Sequence, residues 1–459
     1  GPWARRQAAK LLAATGDLSD SIRAEQLLSA AVEGKTGTPE DHDQLVDLLS
    51  LRGDPVSRQR AIDALRKVKE MRGGLTPERE IQLGHLLYEL GEWDAAKQQM
   101  LDVIGKFPND SRLQTVYASM LIGRKEFEEA ELRITRLGGK PELAAAINEL
   151  RLRLASVRGN KDEVRSMLKA MTPDLTRLTE EQLKFIRGLA LTADGAGDHE
   201  YALTLLQEYA RRAPDAALEL ARMNALYGNV DEGLASLRLL APQNMDDSMR
   251  IAVEVLRKRR DEDPAKFDAE VDRIVRSGLR DDPESARRLV LEAEMLEVQE
   301  KFDESISAYK TLLARDDVPT LVRATALNNL AFILALKSKT PQDLELALKS
   351  VNEAIELIGP ISDILDTRAL VYLKQQQYPL AAEDMKQAVR MNPTASKYFH
   401  LAAALLGAGD EAGAAAAWKQ AQAEGIGPDA VSKLEQQDLE GFTKKIEQAV
   451  AAGATAQAR

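Results

Sequence analysis

Tyr398-Phe399-His400-Leu401-Ala402-Ala403-Ala404-Leu405, followed by Gly409-Asp410, Ala414, Trp418 and Ala421, is the stretch on which the fold turns. Large and small apolar residues recur three and four apart, a Gly-Asp breaker interrupts them, and a second helix then begins with a small residue on its inner side. The same phrase stands upstream as Leu365-Asp366-Thr367-Arg368-Ala369 with Tyr372, Tyr378, Ala381 and Ala388. It stands once more as Asn328-Asn329-Leu330-Ala331 with Leu334 and Ala347. The period is about 34 residues. Each phrase reads as a helix–turn–helix hairpin whose small residues let its helices approach closely. Such a hairpin cannot bury its apolar face alone and must stack on neighbours.

Further upstream the inner small position moves from Ala96 to Ala130 to Val164 at the same period, with Leu83-Gly84, Tyr117-Ala118 and Phe127 in phase. Two looser units carry Gly188, Ala193 and Ala202, then Leu220-Ala221, Gly228 and Leu234. Between Asp246 and Asp282 charge dilutes the phrase, although Ile251, Val255, Phe267, Val271, Ile274 and Val275 keep the helical period. The N-terminal stretch has one apolar stripe ended at Gly16 and a second from Ile22 to Val32. A hairpin is expected across Gly53-Asp54-Pro55, and Thr38 reads as an N-cap with Pro39 in the first turn. An insertion around Lys337 to Pro341 lengthens one turn. After Gly427-Pro428 a more polar capping helix is expected over Ala430 to Val450, with Ala451 to Arg459 fraying. The expected organisation is irregular helical hairpins over 1–77, an array over 78–245, degenerate charged repeats and a bend over 246–285, a second array over 286–429, and a cap and tail over 430–459.

Composition agrees with an all-helical chain. Of 459 residues, 44% are hydrophobic and only 4% aromatic, which favours helix and starves a sheet. The absence of cysteine excludes disulfides, thiolate metal sites and a cysteine nucleophile. A net charge of −11 argues against nucleic-acid binding. The basic run Arg257 to Arg260 is followed at once by Asp261-Glu262-Asp263, so it reads as a solvated, salt-bridged helix face. No apolar run is long enough for a membrane span. The chain opens Gly1-Pro2 without methionine, which reads as a protease scar and leaves room upstream for a signal peptide, an anchor or another domain.

The repeated residues resemble the tetratricopeptide repeat. Tyr398, Leu401, Ala402 and Leu405 match the first part of its W-x2-L-G-x2-Y pattern, and Ala414 and Trp418 match its A-x3-F. The resemblance implies a right-handed α-solenoid in which the first helix of each unit lines a concave, peptide-binding face. On that phasing the inner positions are Ile81, His85 and Tyr88, then Thr115, Ser119 and Ile122, and near the C-terminus Asn328, Phe332, Asp366, Leu370, Leu373, Phe399 and Leu406. The family's carboxylate-clamp type holds a C-terminal carboxylate with Lys and Asn; here Asn328 is present and the lysines are not. The C-terminal inner face is instead apolar. It reads as an interaction patch if open, or as core if the cap or neighbouring turns cover it.

Nothing in the sequence announces a reaction. His42, His85, His199 and His400 are scattered, with no two on one helical turn. Gly73-Gly74 lacks a P-loop context, and no nucleophile elbow occurs. The expectation is a non-enzymatic scaffold without cofactor or metal, binding a protein or peptide partner and not nucleic acid. The alternatives are a recruiting region of a larger enzyme or envelope or export machine, and a self-assembling solenoid. The Asn-Asn-Leu-Ala and Leu-Asp-Thr phrases resemble those of bacterial tetratricopeptide proteins of envelope and export systems, which favours a bacterial cell envelope or periplasm, with the cytoplasm as the alternative.

Overall fold

The structure, a computed structural model, describes residues 1–14, 18–34, 36–52, 55–138, 143–337 and 340–457. Among them are 25 α-helices and no β-strand. The fold is an all-α solenoid of stacked helix–turn–helix repeats. Two compact units make up the chain. One comprises Pro108–Asp317; the other joins Gly1–Phe107 with Val318–Arg459.

Helix starts are set by side chains that satisfy otherwise orphan N–H groups. Thr38 and Asp41 form a reciprocal box: the Asp41 N–H donates to Thr38 Oγ1 at 3.3 Å and the Thr38 N–H to Asp41 Oδ2 at 2.9 Å. Thr179 with Gln182 and Thr340 with Asp343 repeat the device. Thr76, with Pro77 behind it, caps the helix Pro77–Glu89.

The turn inside seven of the hairpins exposes the repeat more plainly than any side chain. A left-handed residue recurs at Gly91, Lys125, Gly159, Gly197, Glu300, Gln376 and Gly409. Its φ lies between 59° and 84° in every case. Glycine takes this conformation without steric cost, whereas Lys125, Glu300 and Gln376 do so against their Cβ. Five residues later, on the second helix, Ala96, Ala130, Ala202, Ser305, Ala381 and Ala414 are buried at the contact between helices. Gly233 takes the same place; a Cβ there would lie 2.3 Å from the Ala225 nitrogen. Ser305 stays satisfied by donating to the Ala293 carbonyl at 2.8 Å.

The charge-rich segment is a full hairpin, Met245–Arg259 against Pro264–Asp281, with Ile251, Val255, Phe267, Val271 and Val275 buried in its core. The basic run is salt-bridged as expected but not solvated throughout. Arg259 donates to the Ala225 carbonyl at 3.3 Å, and Arg260 makes a two-pronged pair with Asp268; their side chains are only 17% and 14% exposed. The extended arginine stem packs over apolar surface while its head reaches a carboxylate. The C-terminal helix begins at Gln436, after a short 3-10 turn at Pro428–Ala430, and runs to Gln457. Gly16, Gly53-Asp54, residues 338–339 of the expected insertion and residues 458–459 of the tail lie outside the described residues.

Candidate partner-binding site

Residues one repeat apart on neighbouring first helices meet across the stack, and polar pairs mark the meeting points. In one unit Asp47 pairs with Arg79 at 2.6 Å and Asp363 with Lys397 at 2.8 Å. In the other, Arg153 donates to Ser119 at 2.6 Å, Arg187 pairs with Glu219 at 2.9 Å, and Arg222 with Glu254 at 2.6 Å. The solvent-exposed ones, such as Arg187–Glu219, add little stability, at most about 1 kcal/mol each. Their effect is to hold register and to neutralise the face they cross.

The C-terminal group departs from this pattern. Leu370, Leu373, Phe399 and Leu406 line a cavity of about 360 Å³. Of the two readings the sequence leaves open, the covered one applies to two of them: Leu370 is 5% exposed and Phe399 4%. Phe442 of the C-terminal helix covers Phe399, ring centroids 5.4 Å apart and edge-on, and Trp418 meets both rings. Leu439 and Ile446 continue the contact into the same core. The cap thus lies over the floor of the groove, because its apolar stripe is the nearest partner for these side chains. Leu373 and Leu406 stay half-buried at the rim.

Two polar ties hold the cap. His400 Nδ1 lies 2.6 Å from Asp366 Oδ1 and His400 Nε2 lies 2.7 Å from Glu435 Oε1. Lys374 donates to Asp438 at 2.6 Å, spanning two repeats. Burial opposes the imidazolium charge, but Asp366 and Glu435 outweigh it and push the pKa of His400 up to about 10. Burial likewise acts against the Glu435 carboxylate, and His400 with Ser432 outweighs it, holding that carboxyl below its ordinary range. The site therefore carries a buried cation between two anions. His400, Glu435, Lys374 and Asp438 were not among the expected site residues. The signal was available in the spacing: Asp366, His400 and Glu435 stand 34 and 35 residues apart with alternating charge.

Asn328 and Phe332 lie half-buried on the helix Thr320–Lys337, outside that cavity. Asn328 Oδ1 is buried without a hydrogen-bond partner. Ile81, His85 and Tyr88 form a separate patch on Pro77–Glu89: His85 is exposed, and Tyr88 stands edge-on to Trp93 at 6.0 Å. Among the described residues no group of His, Asp or Glu is placed to hold a metal ion, and no helix is long and apolar enough to cross a membrane.

Residues 81–136 and 367–430 match the family pattern of the tetratricopeptide repeat. No curated protein sequence matches the chain. Among solved structures it is similar to yeast Tom70, at 14% identity and a TM-score of 0.43 over 90% of this chain and 96% of that one. It is also similar to the APC/C hetero-tetramer Cut9–Hcn1, at 13% and 0.36 over 97% and 91%. A tetratricopeptide repeat protein from Parabacteroides merdae is a third, at 14% and 0.30 over 72% and 98%.

Proposed function

Because the chain is a tetratricopeptide-repeat protein, we propose that it is a non-enzymatic scaffold that captures a protein or peptide partner on the face lined by the first helices of its hairpins. The family fold serves in general as a platform for protein–protein interaction. The observation that carries the reading to this face is that Phe332, Leu373 and Leu406, all on first helices, are only half-buried and leave apolar surface to be covered. An apolar side chain of a peptide laid along the groove packs on them. The exposed His85 and the half-buried Tyr88 offer a second contact area on the N-terminal array.

Site-specific photo-crosslinking tests this. A crosslinker placed in turn at Ile81, His85, Phe332, Leu373 and Leu406 should trap the same partner, whereas Leu132 and Leu239, exposed on second helices, should not. Equal trapping at Leu132 or Leu239 moves the interaction to the opposite face and overturns the reading.

A further inference from the structure

The cap does more than end the stack. Its buried side chains Leu439, Phe442 and Ile446 lie on one helical face, and Glu435, buried just before the helix begins, precedes them by four, seven and eleven residues. That face meets a complementary surface: Phe399 and Trp418 for the apolar side chains, His400 for the carboxylate. The fit is incomplete. A cleft of about 360 Å³ opens beside the cap, lined by Leu370 and Leu406 of the groove and Phe442 of the cap. A helix that also filled this cleft would gain dispersion contacts that the cap leaves unmade. The remaining ties, Lys374–Asp438 and His400–Glu435, are ionic and depend on side chains that another helix also offers.

We propose that the groove over Leu370, Phe399 and His400 is a helix-docking site whose present occupant is the chain's own C-terminal helix, and that an amphipathic partner helix with an acidic residue followed by apolar residues at four, seven and eleven exchanges with it. The cap is then an internal competitor, and the scaffold is open at this end only when the cap is displaced. The inference rests on the scaffold reading above and narrows it to one partner chemistry.

The test uses the full chain and a heavy-isotope-labelled peptide of residues 430–448, followed by hydrogen–deuterium exchange. At saturating peptide the chain's own residues 436–448 should exchange at least about tenfold faster, while residues 362–423 keep their protection. Peptides carrying Glu435→Gln or Phe442→Ala should bind at least about tenfold more weakly. The chain carrying Phe442→Ala, or Asp438→Asn at an exposed position if the former does not fold, should bind the unaltered peptide more tightly because its own competitor is weakened. No binding, or binding with 436–448 still protected, overturns the proposal. A dimer forming through exchange of the helix between copies assigns the site to a second chain and overturns the partner helix. A partner that crosslinks at His85 or Phe332 while 436–448 stay protected leaves the scaffold reading standing and removes this one.

Discussion

His400 and Glu435 stand 35 positions apart in the chain and 2.7 Å apart in space, both side chains buried, with Asp366 on the other side of the imidazole. Three successive layers of the C-terminal array are thereby joined through one ring. A buried charge is tolerated only when it is paired and hydrogen-bonded. Removal of either partner should release the cap more than it disturbs the repeats.

The pH dependence of that release has a definite sign. His400 is raised from 6.5 to about 10, so its contribution is complete below pH 6.5 and is lost as pH climbs toward 10. Glu435 is depressed from 4.5, so its contribution is complete above pH 4.5 and is lost as pH falls through its lower folded value. Exchange protection of residues 436–448 should peak between pH 4.5 and 6.5. His400→Gln should flatten the alkaline arm; an unchanged arm would show that another group governs it.

Phe399 links the array to the cap. Phe399→Ala should cost about 3–5 kcal/mol in denaturant melts of the C-terminal array and should deprotect residues 436–448. A loss within about 0.5 kcal/mol would mean that Trp418 and Phe442 close the gap without it.

Small residues at the helix contact leave no room for growth. Ala130 and Ala381 are both fully buried, and Leu at either should cost about 1–3 kcal/mol by overpacking. Melts that leave stability unchanged would show that the hairpins can spread.

Gln376 holds φ at 59° in an exposed turn where four sister turns use glycine. Gln376→Gly should stabilise by up to about 1 kcal/mol, the left-handed strain relieved less the added chain entropy. A drop in melting temperature would assign the side chain a role that outweighs its strain.

Glu297, half-buried on the helix Ala286–Val298, has its carboxyl pushed up to about 7 by burial, with Arg257 only partly offsetting it. A raised carboxyl opposes folding once ionised, so its cost grows from pH 4.5 and is complete above 7. Glu297→Gln should raise the melting temperature at pH 8 and leave it unchanged at pH 4. Equal effects at both would exclude ionisation as the cause.

Much of this fold was legible because its signals are local. Ala96, Ala130, Ala381 and Ala414 repeat at one register, and Thr38 announces a helix start within four residues of chain. The start at Thr340 was hidden in what reads as an insertion around Lys337 to Pro341. The conformation of Lys125, Glu300 and Gln376 was not legible, because nothing in those residue types asks for positive φ; the turn imposes it. Arg259 and Arg260 belong to the same class. Their runs of charge look solvated until the Ala225 carbonyl and Asp268 are brought beside them.

The sequence by itself determined the helical period and the hairpin, since each depends on side chains within one or two turns of each other. Only the tertiary structure decided which inward face is covered. Phe399 and His400 have the same chemistry whether a groove is open or filled, and the difference is made by Phe442 and Glu435, which reach them only once the final hairpin has stacked. Contacts between elements one repeat or more apart depend on how hairpins stack, and local propensity holds no record of that geometry.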